Sequence, residues 1–209
     1  MIILDFGSGN TCKNDYYYGE RMIDELAAVD PERKCVIKWQ LFQKEGENVP
    51  LQWGVFEKLY EYARKEYGYQ TTASVFDIFS LRFLQQFVTP FIKIANRPDL
   101  YWLIGEIPRK TRIIRSLSAV GAFANKAWEA AGDSLVNLTC MSKYPASLHD
   151  YEGFYSGDLE HGISDHTCDW DLYNKFRPDY YECHYKLPDS TGPDAGPFAR
   201  TPEQLREIL

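Results

Sequence analysis

Nowhere in this chain of 209 residues do more than two basic residues follow one another, and acidic side chains outnumber basic ones by 30 to 23, for a formal net charge of −7. Binding to nucleic acid or to an anionic membrane surface needs clustered lysine and arginine, so neither partner is expected. Any anionic small molecule would have to meet positive charge concentrated at one place. No stretch approaches the ~20 consecutive apolar residues of a membrane span, and no basic segment followed by a long apolar one precedes the first strand-like run, so no leader is expected. The five cysteines are an odd number and form no CxxC pair. That argues against a disulfide framework and for reduced thiols in a cytoplasmic protein. Internal repeats and low-complexity stretches are also missing. What is present is a 44% hydrophobic, 15% aromatic composition, enough for one sizeable core in a single domain spanning residues 1–209.

Short β-branched or aromatic runs alternate with helical patterns along the whole chain. Strands are expected at residues 2–6, 35–41, 69–75, 91–94, 112–115, 135–140, 159–163 and 180–183. Helices are expected at 17–28, at 80–88, at 98–107, at 119–131 and at 201–209, with a further amphipathic one carrying Phe56, Leu59, Tyr60 and Ala63 and ending at Gly68. Thr201, Pro202 and Gln204 read as the N-cap, first turn and capping box of the last helix. Two stretches look thin: 168–178, the space left for a helix between the last two strands, and 144–158, which reads as loop. Eight alternating units imply α/β architecture with a parallel sheet closed into a compact (β/α)8 TIM barrel with shortened helices and loops, below the usual size of about 250 residues. An open doubly wound sheet is the structural alternative.

In such a barrel, functional groups gather at the C-terminal ends of the strands. The polar residues expected there are Asp5, Lys38 with Gln40, Ser74 with Asp77, Lys93 with Asn96, Ser116, Ser142, Ser164 with His166, and Glu182 with His184. Lys38 and Lys93 lie within or at the end of apolar runs. Either they point into a pocket, where an ammonium suits a phosphate, a carboxylate or a Schiff base, or they snorkel outward along a helix. His166 and His184 end neighbouring strands. Either they are core histidines satisfied by hydrogen bonds, or they share one divalent ion with open positions for substrate oxygens and water, a donor set that suits Mn, Zn, Fe or Ni. Cys140 and Cys183 read as small core residues, and His149 and His161 as loop residues.

Nine short motifs, in order, resemble the catalytic barrel of the sialic acid synthases (N-acetylneuraminate synthases and their relatives). They are Lys38-Trp-Gln40, Thr72-Ala-Ser-Val-Phe-Asp77, Phe91-Ile-Lys-Ile94 with Asp99-Leu100, Ile113-Ile-Arg-Ser116, Cys140-Met-Ser-Lys-Tyr-Pro145, Ser164-Asp-His-Thr167, Glu182-Cys-His-Tyr185, Gly192-Pro-Asp194 and Thr201-Pro-Glu-Gln-Leu205. The resemblance implies condensation of phosphoenolpyruvate (PEP) with an aldehyde or sugar to a 2-keto-3-deoxy acid, with release of phosphate. The alternatives are a related metal-dependent lyase or aldolase and a catalytically degenerate barrel kept as a binding protein.

The resemblance also implies roles. His166 and His184 match metal ligands serving a divalent ion, Mn²⁺ first, with Mg²⁺, Co²⁺ or Zn²⁺ as alternatives. Lys93, Ser116, Ser142, Ser164 and Glu182 match positions that hold PEP, with Asn96 and Tyr144 beside them. Asp194 matches a carboxylate that contacts the acceptor. Asp5, Lys38 and His166 are the expected catalytic groups. The chain departs from the family at several points. Asp5 stands where the family has a glutamate, Asn96 replaces a serine, Ser118 and Cys168 replace glycines, and Ala195 replaces a histidine. The C-terminal antifreeze-like domain, on which the family's homodimer leans, has no counterpart in the expected 1–209 barrel.

Overall fold

The computed structural model describes residues 1–118, 135–152 and 162–209. Eight parallel strands pair in sequence order: β1 (Ile2–Asp5), β2 (Cys35–Leu41), β3 (Thr71–Val75), β4 (Ile92–Ile94), β5 (Ile113–Leu117), β6 (Leu135–Cys140), β7 (Gly162–Asp165) and β8 (Tyr180–His184). β8 pairs back with β1, placing Asp5 opposite His184 on one side and Lys38 on the other. The sheet is therefore closed, and the open doubly wound alternative does not hold.

The two-residue period of each strand divides the core in two. Ile3, Val36, Phe91, Ile114, Val136 and Leu138 form a small apolar cluster that plugs the inside of the barrel. Their immediate neighbours, such as Leu4, Ile37, Ile92 and Ile113, belong to a larger cluster between the strands and the outer helices. Two residues beyond the plug come Asp5, Lys38, Lys93 and Ser116. The plug thus forms the floor beneath a polar layer.

The outer layer contains α1 (Tyr16–Val29), α2 (Trp53–Tyr67), α3 (Ile78–Leu84), α4 (Leu148–Glu152), α5 (Asp171–Phe176) and α6 (Pro202–Leu205). α2 buries Phe56, Leu59, Tyr60 and Ala63, the stripe expected of it, and stops at Gly68, which takes the left-handed conformation (φ 76°) that only glycine adopts without strain. Thr201 and Gln204 form the expected capping box. No helix among the described residues is long and apolar enough to cross a membrane. All five cysteines are free, and only Cys168 is exposed.

Several boundaries differ from the expectation. The helix expected at 98–107 is a 3-10 helix, Pro98–Glu106. α4 breaks the loop expected at 144–158 and carries the exposed His149. The helix expected at 119–131 and His161 lie outside the described residues. The first part of the strand expected at 159–163 lies outside the described residues; from Gly162, β7 runs on to Asp165, so Ser164 lies within the strand. Gly162 is required there because a Cβ would meet the Tyr180 carbonyl oxygen at 2.2 Å. The helix expected at 80–88 starts earlier because Asp77 is its N-cap. Asp77 Oδ1 accepts from the Ser80 N–H at 2.8 Å, and Oδ2 accepts from the Gln43 N–H at 2.7 Å. Asp77 is thus a cap rather than a pocket group. Asp77→Ala is expected to lower stability by about 1–2 kcal/mol, read by urea denaturation, while ligand binding in the barrel persists.

Candidate active site

All eight strands send a side chain into one cavity of about 450 Å³: Asp5, Lys38 with Gln40, Ser74, Lys93, Ser116, Cys140, Ser164, and Glu182 with His184. The connecting segments add Asn96, Ser142, Tyr144, His166 and Asp194. Apart from Asp77, every residue picked out from the sequence for a site therefore lines this one space. Lys38 and Lys93 are each 2% exposed, so neither snorkels. Each sits two residues past a plug residue, Val36 or Phe91, and alternation turns it inward.

The charges are interlocked. Lys38 Nζ donates to Asp5 Oδ2 at 2.6 Å and to Ser74 Oγ at 3.0 Å. Lys93 Nζ donates to Ser116 Oγ at 2.7 Å. Glu182 lies between the two ammonium groups, with Oε2 3.7 Å from Lys38 Nζ and Oε1 3.4 Å from Lys93 Nζ. Ser164 Oγ donates to Glu182 Oε1 at 2.9 Å, whereas Oε2 is buried without a hydrogen bond. Gln40 Nε2 donates to both Asp5 Oδ2 and Asp194 Oδ1, each at 3.0 Å. The Gly7 N–H donates to Asp5 Oδ1 at 2.9 Å.

Burial acts on every one of these groups, and the neighbours decide the outcome. For Asp5, burial pushes upward, but the Lys38 ammonium and His184 outweigh it and hold the carboxyl well below the usual range. For Glu182, burial is likewise overcome by Lys38 and Lys93, and the carboxyl is lowered. Asp194 has no lysine as close, and burial raises it. Lys38 is raised because Asp5 and Glu182 outweigh its burial. Lys93 is lowered, since burial and the Lys38 charge exceed what Glu182 returns. Lys38 is thus satisfied within the protein, and Lys93 is the cation with unmet demand for negative charge.

The two imidazoles lie side by side, with ring centroids 5.4 Å apart. His166 Nδ1 is 2.6 Å from the Met141 carbonyl oxygen. That contact makes Nδ1 the N–H and leaves Nε2 with the free lone pair. Burial pushes His166 down to about 3, with His184 adding to the effect, so the ring stays neutral. Tyr144 stacks on His166 at 4.1 Å between centroids, and Phe198 packs edge-on against His184 at 5.0 Å. Among the described residues no group of three or more His, Cys, Asp or Glu side chains is arranged to hold a metal ion. The donors do fit an ion that draws only part of its coordination from the protein. Two imidazoles are adjacent, one of them fixed as a neutral ligand, and His184 Nδ1 and Asp194 Oδ2 are buried without hydrogen bonds.

Sequence reasoning missed part of the lining. Glu45, Asn48, Phe76, Ala95, Arg97 and Pro193 also face the cavity; Phe76 and Pro193 lie within two of the nine motifs, and the loop after β2 is polar. Cys140, expected to be core, lies at the cavity wall. The Met141 carbonyl that orients His166 is backbone and leaves no mark in a residue pattern.

No protein-family model matches the sequence, and no curated protein matches it. Solved structures do match by fold. Over 99% of this chain and 80% of the other, it is similar to the N-acetylneuraminic acid (sialic acid) synthetase of Leptospira borgpetersenii serovar Hardjo-bovis in complex with citrate, with a TM-score of 0.74 and 22% identity. The chain has a sialic-acid-synthase-like barrel fold. Bacillus subtilis spore coat polysaccharide biosynthesis protein spsE is similar over 99% of this chain and 65% of its own (TM-score 0.73, 19% identity). The Thermotoga maritima phospho-2-dehydro-3-deoxyheptonate aldolase (DAHP synthase) is similar over 99% and 66% (TM-score 0.67, 13% identity). The barrel therefore spans about two thirds of the last two chains.

Glu182→Gln removes the carboxylate between the lysines and is expected to destabilise the barrel by about 3 kcal/mol near neutral pH. Asp5 and Glu182 are both depressed, so their stabilisation is present above the ordinary carboxylate range and is lost as pH falls through their folded values. The variant should accordingly show a flatter acid limb in a stability–pH curve from chemical denaturation. An unchanged limb would contradict this charge arrangement.

Proposed function

We propose that the chain is a metal-dependent, PEP-utilising synthase that joins PEP to an aldehyde or sugar acceptor. The products are a 2-keto-3-deoxy acid and inorganic phosphate. The observation that carries this reading is the pair of buried lysines sharing one carboxylate in a cavity lined by serine hydroxyls. A small trianion such as PEP supplies the negative charge that Lys93 lacks. The fold likeness to proteins named sialic acid synthetase and DAHP synthase supports the same class.

In this reading Lys93 Nζ and Ser116 Oγ, 2.7 Å apart, form a joint donor site for one anionic end of PEP. Ser142 and Ser164 hold the rest, and Asn96 Nδ2, which donates to Ser142 Oγ at 2.9 Å, keeps that hydroxyl in place. Glu182 offsets the burial of both ammonium groups, together with Asp5 outweighing it for Lys38 and only in part for Lys93. Tyr144 and Asp194 flank the acceptor. C3 of PEP bonds to the aldehyde carbon, whose oxygen becomes a hydroxyl by taking a proton. Water adds its oxygen to the electron-poor C2 and gives up a proton, for which Asp5 is the assigned acceptor. The C2–O bond to the phosphate then breaks, the phosphate leaves with the electron pair and takes the remaining C2 hydroxyl proton, and the ketone is left. Lys38 and Gln40 fix Asp5 Oδ2 for that role. A divalent ion held by His166 and His184, Mn²⁺ first, would supply Lewis acidity toward the acceptor carbonyl oxygen.

Purified protein with Mn²⁺ and PEP should release inorganic phosphate with at least one of a panel of aldoses and simple aldehydes. Binding of Mn²⁺ and PEP with no release from any of them would reassign the barrel as a binding protein. Lys93→Ala is expected to abolish PEP binding by calorimetry, and wild-type affinity in that variant would sink the site assignment. His166→Ala should weaken Mn²⁺ binding about 100-fold, followed by electron paramagnetic resonance. Unaltered Mn²⁺ affinity would remove His166 from the metal site.

A further inference from the structure

The deep end of the cavity is built on strands, whereas its open end is closed by a contact between two loops. Glu45 lies in a tight turn after β2, where the Asn48 N–H returns to the Glu45 carbonyl at 2.9 Å. That loop is fastened to the one after β1. The Val49 N–H donates to Asn10 Oδ1 at 2.6 Å, and Asn14 Nδ2 donates to the Pro50 carbonyl at 2.9 Å. Arg97 lies after β4, and both Arg97 and Glu45 line the cavity. Arg97 Nη1 donates to Glu45 Oε1 across the gap. Its Nε and Nη2 donate to Asp99 Oδ1 and Oδ2 at 2.9 and 2.8 Å.

Two carboxylates therefore hold one guanidinium on its three nitrogens. Two carboxylates around one guanidinium leave this part of the rim with an excess of negative charge, so an arriving phosphate or carboxylate meets repulsion from Glu45 and Asp99 at the two N–H donors that remain. A hydroxyl group meets no such conflict, because it is neutral and can donate to the Glu45 carboxylate. Phe76 and Tyr144, which also line the cavity, offer apolar faces to a carbon skeleton.

We propose that the Arg97–Glu45 pair is the specificity determinant of the open end: it admits an uncharged polyhydroxy acceptor and rejects one with a phosphate or carboxylate at its far end. The proposal rests on the condensation reading for the presence of an acceptor at all. Its content, the choice between neutral and anionic acceptors by a contact between two loops, is separate from the chemistry.

The test is calorimetry on the full chain with saturating Mn²⁺ and PEP. Erythritol and erythritol 4-phosphate serve as non-condensing acceptor probes that differ only in the terminal charge. Wild-type protein should bind erythritol more tightly. Glu45→Gln and Asp99→Asn each remove one negative charge from beside Arg97. Each should shift the preference toward the phosphate ester by about tenfold or more. Asp99 is exposed and Glu45 partly exposed, and thermal melting checks that the variants are folded. A wild-type preference for the phosphate ester, no binding of either probe, or an unchanged ratio in both variants overturns the proposal. A PEP titration run alongside separates the failures. Lost discrimination with PEP bound refutes the loop contact alone, whereas no PEP binding refutes the condensation reading and the acceptor site with it.

Discussion

Two ammonium groups can remain charged inside a barrel only if negative charge stands between them. Glu182 occupies that position, within 4 Å of both Lys38 and Lys93. Removing an ion from water costs several kcal/mol even after relaxation, so the polar layer depends on this sharing. Asp5 completes the neutralisation of Lys38, and the residual demand falls on Lys93. The apolar plug of Ile3, Val36, Phe91 and Ile114 fixes the height at which these charges sit. The layer thus follows from one strand period: the residues two positions past Ile3, Val36, Phe91 and Ile114 face the cavity.

That period is why much of the arrangement was legible in the sequence. A lysine set among isoleucines and valines stands out, and the closing order of eight runs implied a barrel. Position in the strand then sent Lys38, Lys93, Ser116 and Glu182 to the same place. The legible part ended where backbone and loops take over. The His166 tautomer depends on the Met141 carbonyl. The pairing of Glu45 with Arg97 joins residues 52 apart in sequence, and neither loop carries a pattern that predicts its partner. Asp77 looked like a pocket group because a carboxylate just past a strand suits a cap and a site equally well. Its hydrogen bonds to Ser80 and Gln43 decide for the cap.

The two ends of the cavity differ in rigidity of construction. The deep, lysine-bearing end is carried by neighbouring strands in register, with Asp5 opposite Lys38, Ser74 opposite Lys93 and Ser164 opposite Glu182. The open end is carried by loops tied through Asn10, Asn14, Glu45 and Arg97. Side chains on paired strands hold their geometry more tightly than side chains on loops. A barrel so divided can keep one constant substrate at its base while its rim is fitted to a different acceptor.

The most direct measurement of this account is a crystal structure of the chain soaked with Mn²⁺ and PEP. The expected result is an ion held by His166 and His184, and PEP with an anionic group on Lys93 and Ser116, leaving free space toward Glu45 and Arg97. An ion bound elsewhere, or PEP density away from Lys93, would contradict it.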